Sequence, residues 1–215
     1  MKRVGIVWIV EKQIQMGKAK RKHIWVGAIL CWVFFMLFTP KIPLSHKHPF
    51  FADMRNFLGV PNTLNVITNF PFLVVGVTGF VLSLQGCLFN IRLRGEVWGW
   101  ALFFGGMVGV AFGSAYYHLK PSDSRVMWDI LPMMIAYSSL FSSFLVERMG
   151  QRIGLSCFIG LLLIVVLSMA NARTFNDLRL CMMFQLIPSI AIPAMSVFYP
   201  PKYTHSIYWL WSAGI

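Results

Sequence analysis

The chain is a succession of long apolar stretches separated by short polar connections. Six stretches carry at most one charged residue each, and a seventh starts near Ser206. The six stretches span residues 24–39, 63–84, 97–118, 126–146, 153–170 and 180–199. Most approach the length of about 20 residues that crosses the hydrocarbon of a bilayer as a helix. Because a helix satisfies its own backbone hydrogen bonds in lipid, each stretch is predicted to be helical. The pattern predicts an all-α fold, a polytopic transmembrane helical bundle.

Composition supports this prediction and excludes a water-soluble globule. Hydrophobic residues make up 57% of the 215 residues, charged residues only 12%, and the mean hydropathy is +0.67. That share of charge is about half of what soluble domains carry. A transporter is disfavoured, because no pair of interrupted helices recurs at matching positions.

The net charge of +12 is concentrated at the N-terminus. Seven of the 19 Lys and Arg residues precede residue 23, namely Lys2, Arg3, Lys12, Lys18, Lys20, Arg21 and Lys22. A basic tail directly before an apolar stretch holds an N-terminus in the cytosol and argues against a nucleic-acid partner. We therefore interpret residues 1–23 as a basic cytosolic tail and residues 24–39 as a signal anchor or extra transmembrane helix. Alternation then places residues 40–62 and 119–125 in the lumen.

Three residues around the 119–125 connection are candidates for chemistry. Ser114 and His118 lie four positions apart and so share one helix face. The short connection returns the chain across the same interface, which puts Asp129 at nearly the same depth. A hydroxyl, an imidazole and a carboxylate together can bind a metal, activate water and stabilise an oxyanion. The spacing alone favours a simpler interpretation, with an interfacial His118, a backbone-bonded Ser114, and an Asp129 that complements the helix dipole.

These residues also carry a resemblance to a known family. Ser114-x3-His118, followed by Trp128-Asp129-Ile130-Leu131-Pro132-Met133, resembles the alkaline ceramidase family, and residues 53–72 resemble its first helix and the approach to it. That family belongs to a group of seven-helix membrane hydrolases that includes adiponectin-type receptors and Per1 proteins. The similarity is greatest to the plant alkaline-phytoceramidase-like branch. It implies a ceramidase-like core over residues 50–215, incomplete at its C-terminal end.

The resemblance implies a zinc-dependent amidohydrolase of the endoplasmic reticulum or Golgi. It would cleave ceramide- or phytoceramide-type lipids into a sphingoid base and a fatty acid. His118 would be a zinc ligand, Asp129 would accept a proton from the zinc-bound water, and Ser114 would help to hold the oxyanion. The family takes its other two zinc ligands from a His-x3-His motif, which this sequence does not reach before Ile215.

Two further histidine ligands are therefore expected beyond Ile215, and this 215-residue form is expected to be inactive or nearly so. His46 and His48 are a possible substitute, in a spacing that differs from the family's. Two other functions remain open. One is a non-catalytic, truncated member that binds lipid or partner proteins, and the other is a receptor of the adiponectin type.

The approach to the first core helix carries the remaining candidate residues. Animal and yeast members of the family have an acidic calcium-binding cluster here, whereas this chain keeps only Asp53, with Asn56 and Asn62 as neutral donors. Calcium sites need several carboxylates, which argues against calcium regulation. Asn62, Asn65 and Asn69 form a polar stripe on one helix face. The amides are predicted either to make interhelical hydrogen bonds or to line a lipid headgroup pocket.

Overall fold

A computed structural model describes residues 26–27, 30, 33–44, 55–86, 93–199 and 201–212. The chain forms two compact units, Met1–Pro40 and Lys41–Ile215. In the first unit, residues 33–38 are helical, and the backbone N–H of Thr39 donates a 2.9 Å hydrogen bond to the Phe35 carbonyl. The predicted tail and part of the predicted 24–39 segment lie outside the described residues.

The described part of the second unit is built from helices and contains no strand. Its helices, in chain order, are α1 (Thr63–Ile67), α2 (Phe70–Leu84), α3 (Arg94–Leu119), α4 (Val126–Met149), α5 (Gln151–Phe175), α6 (Arg179–Phe198) and α7 (Ser206–Ser212). The predicted all-α fold is confirmed for the described residues.

Five helical segments within the described residues are long and apolar enough, by length and composition, to cross a membrane. They are Thr63–Leu84, Arg94–Leu119, Val126–Met149, Gln151–Phe175 and Arg179–Val197. These segments correspond to the second to sixth stretches of the sequence analysis and are consistent with an integral membrane protein. The seventh predicted stretch begins as α7.

The observed helices extend beyond the predicted apolar stretches. α3 begins at Arg94 instead of residue 97, α4 continues to Met149 instead of residue 146, and α5 covers Gln151–Phe175 instead of 153–170. The prediction placed Glu96, Glu147 and Arg148 in connections, outside the apolar stretches. In the structure Glu96, Glu147 and Arg148 are buried inside the helix ends, because distant parts of the chain pair with them.

The second predicted stretch, 63–84, consists of two helices. α1 ends at Ile67, a turn at Thr68 and Asn69 follows, and Pro71 lies in the first turn of α2. Proline lacks a backbone N–H, and its ring clashes with the carbonyl four residues earlier, so a helix cannot pass through it undisturbed. The helical regularity of the asparagine stripe is therefore interrupted between Asn65 and Asn69.

Helix α4 is the most enclosed element of the second unit. Every side chain from Ser138 to Arg148 is buried, and α4 packs against α3, α5 and α6. The apolar core includes Trp100 on α3, Leu140 and Phe144 on α4, and Trp209 on α7. By contrast, α2 and α5 expose many aliphatic side chains, as expected of surfaces that face lipid.

Candidate functional site

The end of α3 and the start of α4 bring Ser114, His118 and Asp129 together. Ser114 is buried, and its hydroxyl lies near enough to the carboxylate of Asp129 to interact with it. His118 follows one helical turn later, close enough to interact electrostatically with the same carboxylate. The arrangement couples a hydroxyl, an imidazole and a partly buried carboxylate at one end of the bundle.

Small residues on α3 explain how the two helices come close enough for this contact. A Cβ atom at Gly113 would lie only 2.8 Å from the carbonyl carbon of Trp128, and one at Gly106 would lie 2.7 Å from the Cβ of Ala136. Gly109 likewise faces Pro132. Glycines at such spacings allow helix backbones to approach each other within a membrane. Gly113 packs against the backbone of Trp128 and Asp129, and this close contact brings the neighbouring Ser114 near the Asp129 side chain.

Contacts within the connection between α3 and α4, and between it and the end of α3, fix its conformation. The guanidinium of Arg125 stacks on the Tyr116 ring at 4.0 Å from the centroid and donates a 3.2 Å hydrogen bond to the Tyr116 carbonyl. The backbone N–H groups of Arg125 and Val126 both donate to the carbonyl of Ser122. These bonds hold the first turn of α4, and therefore Asp129, against the last turn of α3.

The asparagines of the predicted stripe make different contacts. The Asn62 side chain donates a 2.8 Å hydrogen bond from Nδ2 to the carbonyl of His118, so it ties the start of α1 to the candidate site. Asn69 is buried and donates a 2.7 Å bond to the carbonyl of Asn65. Asn56 is exposed, and Asp53 lies outside the described residues. Whether any of them binds calcium or a lipid headgroup stays a prediction.

The described residues do not by themselves complete a zinc site. Among them no group of three His, Cys, Asp or Glu side chains is placed to hold a metal ion. His118 and Asp129 are neighbours, but catalytic zinc sites have three protein ligands. His205 precedes α7, near the opposite end of α4, and its Nδ1 accepts a 3.3 Å hydrogen bond from the Ile207 N–H. His23, His46 and His48 lie outside the described residues.

A second polar cluster, at the other end of α3 and α4, was not predicted from the sequence. It contains two buried carboxylates, Glu96 and Glu147, and the buried Arg148. The Tyr203 hydroxyl donates to Glu96, and the Trp209 indole N–H donates to Glu147 at 2.8 Å. These acids had been assigned to connections. Charged residues so close to an apolar stretch are a signal that could have drawn attention to them.

A shallow groove lies between α4 and α5 at the same end of α4 as Asp129. Its volume is about 300 Å³, at the small end of the range for small-molecule pockets. The lining residues are Met127, Trp128, Leu131, Val166, Met169 and Arg173. An apolar trough with one cation at its side is suited to a hydrocarbon chain with a polar head.

Comparisons of the chain with protein-family models, with curated proteins and with solved structures found no match.

Proposed function

We propose that this chain is part of a zinc-dependent membrane amidohydrolase that cleaves ceramide- or phytoceramide-type lipids. The products would be a sphingoid base and a fatty acid, and the membrane would be that of the endoplasmic reticulum or Golgi. The observation that supports the proposal is the proximity of Ser114, His118 and Asp129, which the close packing of Gly113 against the backbone of Trp128 and Asp129 makes possible. The apolar groove beside α4 offers room for part of an acyl chain.

The chain's own residues provide two of the functions that amide hydrolysis requires. The Asp129 carboxylate can accept a proton from an attacking water molecule, as a general base does. The Ser114 hydroxyl can rotate away from Asp129 and donate its hydrogen bond to the oxyanion of the tetrahedral intermediate. Burial of Ser114 makes that bond stronger than it would be in water, because the local dielectric constant is lower.

His118 would supply one of the ligands of the zinc ion in this proposal. Zinc in such sites acts as a Lewis acid and lowers the pKa of bound water. Catalytic zinc sites have three protein ligands, and the resemblance implies that the other two are the histidines of a His-x3-His motif beyond Ile215. The 215-residue chain alone is therefore expected to hydrolyse little or no ceramide.

The test compares the 215-residue chain with a version continued through a helix that carries His-x3-His. Both are purified, loaded with zinc and assayed for sphingoid base released from ceramide and phytoceramide. The continued version should be active and the short one inactive. In the continued version His118→Ala should lose bound zinc, whereas Asp129→Asn should keep zinc and lose turnover. Ser114→Ala should slow turnover about 100-fold, the scale of one lost oxyanion donor.

Ser122→Ala is the matched control, because Ser122 is an exposed serine in the connection next to the site. It should leave turnover unchanged. Chelator-sensitive hydrolysis by the 215-residue chain would contradict the proposed ligand set. An inactive continued version would contradict the enzyme and favour the second candidate function, a non-catalytic lipid-binding protein, for which the apolar groove beside α4 is the supporting observation.

A further inference from the structure

A tight turn at residues 57–60 leads into α1. Phe57 and Val60 form an isolated antiparallel bridge, and the Val60 N–H donates a 3.0 Å hydrogen bond to the Phe57 carbonyl. Leu58 and Gly59 form the tip, with φ angles of 53° and 78°. The hydroxyl of Thr63 donates to the Val60 carbonyl at 2.6 Å and accepts from the Phe57 N–H at 2.9 Å. The turn is therefore held in one conformation from its base.

The tip presents two large apolar side chains outward. Leu58 is 88% exposed and Phe57 is 64% exposed. The left-handed conformation of Leu58 is one that glycine or asparagine adopts at lower cost. A leucine at this position gains almost no packing against the described residues in return, since its side chain is almost fully exposed. Any contact that favours leucine here therefore lies outside the described residues.

Hydrogen bonds place this turn beside the C-terminal end of α3. Asn62, two residues after the bridge, bonds to the carbonyl of His118, the second-last residue of the span Arg94–Leu119. The Thr63 N–H donates a 3.1 Å bond to the Arg55 carbonyl, which keeps the start of the turn at the same place. The ends of spans lie where hydrocarbon meets lipid headgroups.

The exposed apolar surface continues along the chain into the first span. Leu64 and Ile67 on α1 and Phe70 on α2 are exposed, and farther along α2 so are Val74 and Val77. These side chains lie on a segment that is apolar enough to cross the membrane, where lipid covers them. The apolar tip therefore leads directly into a span with many exposed apolar side chains.

We propose that the turn at residues 57–60 inserts Phe57 and Leu58 into the bilayer interface, among the acyl chains of the leaflet at the His118 end. Lys120 and Arg125 in the neighbouring α3–α4 connection would lie level with the lipid phosphates, as cations at span ends do. The interaction requires no catalysis. If the proposed hydrolysis also holds, the turn would bring lipid next to the candidate site.

A fluorescent label at Leu58→Cys tests the proposal in the purified chain, whose four cysteines are first replaced by alanine. The label is an environment-sensitive nitrobenzoxadiazole, and the protein is reconstituted into phosphatidylcholine vesicles. Val77→Cys provides the lipid-facing standard and Ser122→Cys the aqueous one, because both positions are exposed on elements already described. The label at position 58 should emit at a shorter wavelength than the label at position 122. Nitroxides on the acyl chains should quench it more than aqueous iodide does.

Two results would overturn the proposal. Quenching at position 58 by iodide, equal to that at 122, would show that the tip faces water. Protection from both quenchers would show that protein covers it. A second variant separates insertion from folding. Leu58→Asn suits the left-handed backbone and should keep the turn intact. With the label at Phe57→Cys, it should shift the emission to the red and increase quenching by iodide.

Discussion

The indole Nε1 of Trp209 donates a 2.8 Å hydrogen bond to Oε2 of Glu147, and both residues are only 1% exposed. The backbone N–H of Thr204 donates to the other carboxylate oxygen at 3.2 Å. Arg148 lies 3.5 Å from the same oxygen and donates to the Thr204 carbonyl and the Ser206 hydroxyl, both at 3.3 Å. A buried carboxylate tolerates the loss of hydration only when both its oxygens are bonded in this way. Residues 204–209 are thus anchored on the end of α4.

Changing both partners of the Trp209–Glu147 bond should cost less stability than the sum of the single changes. Trp209→Phe removes the N–H donor, and Glu147→Gln removes the charge but keeps one acceptor oxygen. Hydrogen bonds contribute about 1.5–3 kcal/mol when one partner is charged and about 0.5–1.5 kcal/mol when both are neutral, so the coupling energy between the two substitutions should be about 1 kcal/mol. The measurement is the free energy of unfolding of the two single variants and the double variant in detergent.

Arg152→Gln serves as the control, because Arg152 is an exposed cation near the same end of the bundle. Paired with Trp209→Phe, it should show no coupling. Additive effects of Glu147→Gln and Trp209→Phe would mean that the bond does not anchor α7.

The close contact between α3 and α4 predicts a strong effect of a single methyl group. Gly113→Ala would place a Cβ against the Trp128 backbone, which cannot move as a side-chain end can. Overpacking of this kind costs about 1–3 kcal/mol. The variant should have a lower melting temperature, and under the proposed hydrolysis it should reduce turnover by the continued version, because it separates Ser114 from Asp129.

Gly160→Ala is the matched control on α5, since a Cβ there would have no atom within 4 Å. It should leave stability unchanged or raise it by up to about 1 kcal/mol, the difference in helix propensity between alanine and glycine. Equal melting temperatures for the two variants would rule out the close contact at Gly113.

The loop before α6 predicts a dependence of stability on pH. Asp177 accepts hydrogen bonds from the side chain and the backbone N–H of Arg179, and its oxygen lies 2.8 Å from Nη2 of that residue. The guanidinium of Arg179 holds the pKa of Asp177 below its ordinary value of 3.8. A carboxylate whose pKa is lower in the folded state than in the unfolded state stabilises the fold at every pH above its unfolded-state pKa. This contribution disappears as the pH falls through the folded-state pKa.

The melting temperature of Asp177→Asn should therefore be lower than that of the unmodified chain at pH 7. The difference should shrink only below about pH 4, the range in which an unfolded Asp takes up its proton. A difference that is already lost between pH 7 and pH 5 would assign the effect to another group.

The basic tail predicts the orientation of the bundle. With a cytosolic N-terminus, an N-glycosylation acceptor inserted into residues 119–125 should be modified in microsomes. An acceptor inserted into residues 85–96 should stay unmodified. Modification of the second acceptor alone would show that the orientation is inverted.

The positions of the five described spans could be predicted from the sequence because their causes are local. A stretch of apolar side chains is favoured in hydrocarbon, and a helix bonds its own backbone groups, so neither requires knowledge of distant residues. The sequence also predicted the proximity of Ser114, His118 and Asp129. Ser114 and His118 lie four positions apart on one helix, and only a short connection separates them from Asp129. Pro71 also indicates the break between α1 and α2. The prediction missed this break because residues 63–84 form one continuous apolar stretch.

Only the tertiary structure decided where the charged residues at the helix ends lie. Glu96, Glu147 and Arg148 continue their helices and are buried because Tyr203, Thr204 and Trp209 reach them from a distant part of the chain. The bond from Asn62 to the His118 carbonyl is likewise made across 56 positions. Burying a charge is favourable or prohibitive according to the partner it meets, and folding alone determines that partner.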